Sequence, residues 1–206
     1  MSELQQPKFR PSRTRPFVVA ALAVIAAGSF VSPTPARQKS PAVATPAGPA
    51  FTHRGQRTAN DIKYGDWQKL CFKAAGAKTV CRTTISGTFE TGQVAVRLDL
   101  IEREGDRTAR LQSFVPVGMY LQVPIKLSID GGKSYPLRYN WCLTNACVAA
   151  DVADPRIVAE MESGKTLALE VVDHNLLSLT TSLPLAQFAS VHKGPPAQTL
   201  EQDIDE

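Results

Sequence analysis

Histidine is scarce in this chain: 206 residues contain only His53, His174 and His192, spread far apart. A zinc site needs three or four clustered ligands, and these histidines supply no cluster. A Ser-His-Asp hydrolase needs a nucleophile on a strained turn beside a positioned base, and no G-x-S-x-G stretch is present. Ser182 and His174 are the nearest approach to such a pair, with nothing in their spacing to align them. Phosphate-cradling loops are missing too, because Gly131-Gly132 leads into a strand-like run and not a helix. Asp130, just before them, reads as a turn residue. The sequence therefore offers no catalytic residue, no metal site and no cofactor.

A one-signed charge surface is lacking where it would matter. Residues 1–50 hold six basic side chains against Glu3 alone, a net +5. Since the whole chain is +4, residues 51–206 stand at −1. Nucleic-acid binding draws on clustered Lys and Arg, so that partner class is set aside. Long apolar runs are also missing, with one short exception. Four basic residues between Lys8 and Arg15 precede the fifteen uncharged residues Phe17–Val31. Fifteen is short for a span, which takes about 20 residues, whereas a basic stretch before a short apolar one is the form of a secretory signal. The expectation is a signal peptide over residues 1–36, cut after Ala36, with Ala44 as the alternative. Arg13-Thr14-Arg15 is not a twin-arginine pair, which favours Sec-type export to the periplasm, the outer envelope or the medium. Contact with a membrane is then expected only through this segment, if it stays uncut.

What the chain does have is an even set of cysteines: Cys71, Cys81, Cys142 and Cys147. In an oxidising compartment four cysteines read as two disulfides, with three pairings open. The local pairing is favoured, because each spacing fits a hairpin. If Thr144-Asn145 is a two-residue loop, Leu143 faces Ala146, Cys142 faces Cys147 and Trp141 faces Val148 on the opposite side. A turn centred on Gly76 likewise brings Cys71 opposite Cys81. Facing Cα atoms in an antiparallel pair lie within disulfide range. A four-cysteine zinc site and a redox-active pair are the rival readings.

Taken in order, residues 37–62 are Pro/Ala-rich and then polar, and are expected to be a disordered linker. The domain is expected over residues 63–192. Its first strand surrounds YGDWQKLCF, with Trp67 as a core anchor, and Thr79–Phe89 is the second. Gln93–Arg103 alternates, with Val94, Val96, Leu98 and Leu100 on one side and Arg97 and Asp99 on the other. Thr108–Val115 makes a hairpin with it, and Pro116-Val117-Gly118 marks a bulge or crossing. Val123–Asp130 alternates again and leads through Gly131-Gly132 into a run offering Leu137, Tyr139 and Trp141 to a core. Asp154 as cap, Pro155 and Gly164 delimit one short helix. Thr166–Val172 and Leu176–Leu183 are further strands, and Pro184–Val191 suits a last helical turn. Residues 193–206 are acidic, Pro-containing and expected to be a disordered tail. The fold class is all-β, an antiparallel β-sandwich (immunoglobulin-like or jelly-roll-like) of about 7–9 strands with one short helix.

The order of features resembles a known family. Trp67, Cys71 and Cys81, then Pro116–Gly118, then IDGG at Ile129–Gly132, then Cys142 and Cys147, are similar to the invasion-associated locus B family. Ser182-Leu183 with Phe188-Ala189 resembles its C-terminal signature. Ala146 and Gln187 stand where that pattern has glycine. The resemblance implies a small exported β-sandwich of bacterial envelopes and brings no catalytic residues.

The expected function is an exported, non-enzymatic binding protein of the cell envelope, its partner an envelope or extracellular protein. A small-ligand carrier, a structural accessory of an envelope complex and, last, a hydrolase are the alternatives. Lys133, Arg138 and Asn140 are expected to form a basic recognition patch. Met119 and Tyr120 are expected in an exposed apolar loop that marks an interaction site.

Overall fold

The computed structural model describes residues 52–202. The signal segment, most of the linker and the last four residues lie outside that range. Thirteen strands and two helices are found among the described residues. The chain enters with β1 (Gly55–Thr58) and β2 (Lys63–Tyr64), then runs through β3 (Gln68–Ala74), β4 (Val80–Thr88), β5 (Val94–Arg103) and β6 (Arg110–Pro116). Next come β7 (Ile125–Ile129), β8 (Ser134–Leu137), β9 (Tyr139–Cys142) and β10 (Ala146–Val152). Helix α1 (Pro155–Ser163), β11 (Thr166–Val172), β12 (Leu177–Pro184), α2 (Phe188–Lys193) and β13 (Gln198–Gln202) complete it.

The strands form two sheets. One has five strands in the order β1-β12-β11-β7-β8, and the other runs β13-β3-β4-β5-β6-β10-β9 with β2 paired beside β4. Pairing is antiparallel except for β1 on β12 and β13 on β3. The architecture is the expected sandwich, with more strands than the pattern counted and a second helix. The inner faces meet around Ile85, Leu98 and Leu100 from one sheet and Ile125, Leu127, Leu167, Leu169 and Leu183 from the other. Burying each such side chain contributes about 1.5–3 kcal/mol.

Trp67 anchors one end, as expected. Its indole Nε1 donates to the Pro184 carbonyl at 2.7 Å, and its ring meets Phe188 edge-on at 4.8 Å. Helix α1 lays Ile157 and Met161 on the same core. Asp154 caps it by accepting from the Arg156 backbone N–H at 2.9 Å. Gly164 ends it because a Cβ there would press into Ile129 and the Glu160 carbonyl. Asp130 takes a left-handed φ of 47°, and its carboxylate accepts from the backbone of Lys165 and Thr166, which makes it a turn residue bonded to the start of β11.

Both disulfides follow the local pairing: Cys71–Cys81 and Cys142–Cys147, with Cα atoms 4.0 and 3.9 Å apart. The facing registers are those expected, Cys71↔Cys81 and Cys142↔Cys147, with Trp141↔Val148. No thiol remains for a zinc site or a dithiol couple among these four.

Three expectations need correction. The run from Ser134 to Cys142 is not one strand: it leaves the five-stranded sheet after Leu137 and joins the other at Tyr139. Leu137 and Tyr139 pack inward, but Trp141 points out and is 45% exposed. An irregularity opposite Val148/Ala149 sets Asn140 between the paired Tyr139 and Trp141, so strict alternation fails there. Finally, residues 55–58 of the expected linker and 198–202 of the expected tail are edge strands. Their side chains stay largely exposed while their backbones pair, so burial left no hydrophobic signature in either segment.

Candidate functional site

The eight-stranded sheet buries one face and shows the other. On β5 the two sets of side chains differ by one residue: Val96, Leu98 and Leu100 point inward, Arg97, Asp99 and Ile101 outward. The registers arrange the outward set in rows. Trp141, Val148, Phe114, Arg97 and Ser86 follow one another across β9, β10, β6, β5 and β4. The next row is Ala150, Gln112, Asp99, Thr84 and Gln68. A third runs Val152, Arg110, Ile101, Arg82 and Leu70.

At the centre of these rows Asp99 is only 1% exposed, on a face that carries no second layer of strands among the described residues. Side chains seal it. Thr84 Oγ1 donates to Asp99 Oδ1 at 2.6 Å. Arg97 Nε stands 3.3 Å and Arg82 Nη1 4.0 Å from Oδ2. Neither contact is aligned as a hydrogen bond, so the guanidinium groups act here as nearby charges. Each arginine also has an aromatic partner: Arg97 lies 3.7 Å over the Phe114 ring and Arg82 5.8 Å from that of Phe72. Stacking a guanidinium on a ring holds it flat and leaves its outer N–H groups facing solvent. Two cations against one carboxylate leave the cluster with a net positive charge. A guanidinium fork is the group that matches carboxylate or phosphate oxygens, and two stand here side by side. Beside it the disulfide fixes the end of the β9–β10 hairpin and with it the position of Trp141.

The residues singled out from the sequence are dispersed. Lys133 lies in the β7–β8 turn with Nζ 4.9 Å over the Tyr135 ring. Arg138 is exposed at the crossing between sheets. Asn140 Oδ1 accepts from the Ala150 backbone N–H at 2.6 Å, a bond that seats the irregularity in β9. Met119 is half-buried against the core and lines a cavity instead of projecting from a loop. The Tyr120 backbone N–H donates to the Val172 carbonyl at 2.7 Å. His174 and Ser182 do not form a pair: His174 sits in the turn before β12 beside Gly118, and Ser182 lies far along that strand opposite Ala168.

Sequence reasoning missed His192. Its ring nitrogens stand 3.0 Å from Glu162 Oε1 and 3.1 Å from Glu102 Oε2, and its ring stacks on Phe188 at 5.3 Å. Lys193 adds an ion pair to Glu162 at 2.7 Å and holds that carboxyl below its ordinary range. The group ties α2 to α1 and β5. Both ring nitrogens face carboxylates, and Ser190 on the same helix donates to the Gln187 carbonyl. Tyr64, whose phenol burial pushes up to about 12, is hydrogen-bonded to Thr181 Oγ1 at 2.7 Å. No cluster of three or more metal-ligating side chains occurs among the described residues.

Comparisons with known proteins agree with this fold. The family model described as Invasion associated locus B (IalB) protein matches residues 67–196. Invasion protein B of Bartonella bacilliformis is 26% identical over 156 residues, covering 75% of this chain and 79% of that protein. The crystal structure of invasion associated protein b from Bartonella henselae superposes with a TM-score of 0.56 at 24% identity, over 63% of this chain and 90% of that one. That likeness concerns the fold. The family match takes in both disulfide hairpins, the crossing between sheets, and both helices; this chain belongs to the invasion associated locus B family.

Proposed function

We propose that the protein is an exported, non-enzymatic module of the periplasm or outer envelope that docks an acidic partner on the outer face of its eight-stranded sheet. One observation carries the reading: the row Trp141, Val148, Phe114, Arg97, where an exposed indole and a stacked guanidinium share one rigid surface. Trp and Arg dominate binding energy at protein interfaces because they combine apolar area with directed polar contacts. The signal-like N-terminus and two disulfides support an oxidising compartment. The Bartonella relatives carry invasion in their names; for this chain the proposal is a binding step, which needs no host cell.

The test places a photo-crosslinking residue at Trp141, at Arg82 or, as a control on the other sheet, at Ser182, in cells of the source organism. Adducts of one mass from positions 141 and 82, absent from 182 and lost on Arg97→Ala, are expected. Equal labelling from both sheets, or none from positions 141 and 82, overturns the reading.

A further inference from the structure

Between the sheets lies a cavity of about 240 Å³, remote in character from the charged outer face. Its floor comes from both inner faces, with Val96 and Val115 from one sheet and Leu169, Val171 and Leu179 from the other. Its walls are two places where the chain crosses from sheet to sheet. Ala59–Ile62 passes from β1 to β2, and the segment after Pro116 carries Met119 toward β7. Strands that change sheets cannot fill the space between them as evenly as paired strands do, which leaves the gap.

On the floor, Thr181 is engaged by the Tyr64 hydroxyl, and most of the other lining side chains are apolar. The interior therefore has little to offer a polar molecule. The mouth is different. Arg57 and Asp61 line it, both exposed, and no carboxylate stands within ion-pair distance of Arg57 among the described residues. The inner wall is held by a close approach: a Cβ on Gly87 would stand 2.5 Å from Ile62 Cγ2 and 2.7 Å from Tyr64 Cε1. An apolar cavity of about 150 Å³ stays dry and takes up benzene, so 240 Å³ is ample for a hydrocarbon. At about 30 Å³ per water-sized group it has room for roughly eight.

We infer that this cavity binds a short aliphatic chain ending in a carboxylate, the chain inside and the carboxylate on Arg57. The inference goes beyond the docking face and does not depend on it. Asp61 on the same rim repels a second anion and confines the head group to the Arg57 side. A flexible thioether from Met119 adapts to the length of the chain. The free acid and an acyl chain esterified in a phospholipid share only the aliphatic tail, since the ester carries no carboxylate for Arg57, and the probes separate them.

Calorimetric titration of the purified, disulfide-bonded protein uses octanoate, octanol, octyltrimethylammonium and octanoyl lysophosphatidylcholine. Octanoate is expected to bind about tenfold or more tightly than octanol, a factor that Arg57→Ala erases. Asp61→Asn is expected to tighten octanoate alone. Filling the space with Met119→Trp or Leu179→Trp, two half-buried positions, is expected to abolish binding of octanoate and octanol together. Tighter binding of the ammonium probe or the lysophospholipid overturns the carboxylate assignment. No binding of any probe, or octanoate binding unchanged in both filled variants, overturns the site. Crosslinking from Trp141 persists in Met119→Trp if only the cavity reading fails, so the two readings fall separately.

Discussion

Leu98 and Asp99 are neighbours on β5, and both are sealed from water, at 0% and 1% exposure. They are sealed by different means. Leu98 sits in the layer between the sheets, where apolar side chains from both close around it. Asp99 sits on the outer sheet face, beside two arginines and a threonine, with an aromatic ring against each arginine. The first arrangement contributes stability. The second spends about as much on desolvating charge as the ion pairs return, so its consequence is a fixed pattern of guanidinium groups and not a firmer fold.

Three experiments press on that difference. The largest effect belongs to the inner face: Leu98→Ala is expected to cost about 3 kcal/mol in urea unfolding, through lost transfer energy and the cavity left behind. On the outer face, Asp99→Ala is expected to cost about 2 kcal/mol, because two half-exposed arginines lose their shared anion. The triple replacement Arg82→Met, Asp99→Leu, Arg97→Met removes the charges together and is expected to stay within about 1 kcal/mol of the parent while losing the Trp141 adduct. A triple variant as unstable as Leu98→Ala would make the outer cluster part of the core and end the comparison.

The smallest effect is a matter of pH at the α1–α2 contact. Lys193 and His192 hold the Glu162 carboxyl below its ordinary 4.5. A lowered native value means the contribution is complete above about 4.5 and is lost as pH falls through the native value. The protection of α2 amides against hydrogen exchange, relative to the intrinsic rate at each pH, is therefore expected to drop below that point, and the drop should be absent in Glu162→Gln. An α2 that stays equally protected down to pH 3 in the parent chain would remove Glu162 from its docking.

Much of this was legible where a residue acts through its neighbours in sequence. The disulfide pairing, the Cys142↔Cys147 register, the cap at Asp154 and the alternation of β5 from Val96 to Leu100 all rest on short-range spacing. Val94, expected with them, is exposed beyond an irregularity at Gly87/Thr88. The family resemblance rested on the same short stretches in order. The crossing at Arg138 was hidden because Leu137 and Tyr139 both point inward from different sheets, which along the chain looks like one alternating strand. Asp99 reads as a solvated residue until Arg82, seventeen positions earlier, and Phe114, fifteen later, are folded around it. Met119 was assigned to an exposed loop because a Pro-Val-Gly stretch signals a turn but not which way the next side chain faces. His192 meets Glu102 only after ninety residues of chain have folded between them.

The two strands that composition concealed have a consequence for the margins of the two sheets. A sheet ends in a row of unpaired N–H and C=O groups, a template on which any extended peptide can add. Here every margin is blunted differently. Strand β1, four residues long and carrying Arg57, covers β12; β13, carrying Glu201, covers β3. Pro136 removes a donor from β8, and an irregularity at Asn140 together with a disulfide cuts β9 short. A domain trimmed to its hydrophobic pattern would keep its core and lose two of these guards, leaving β12 and β3 open to chain-to-chain zippering.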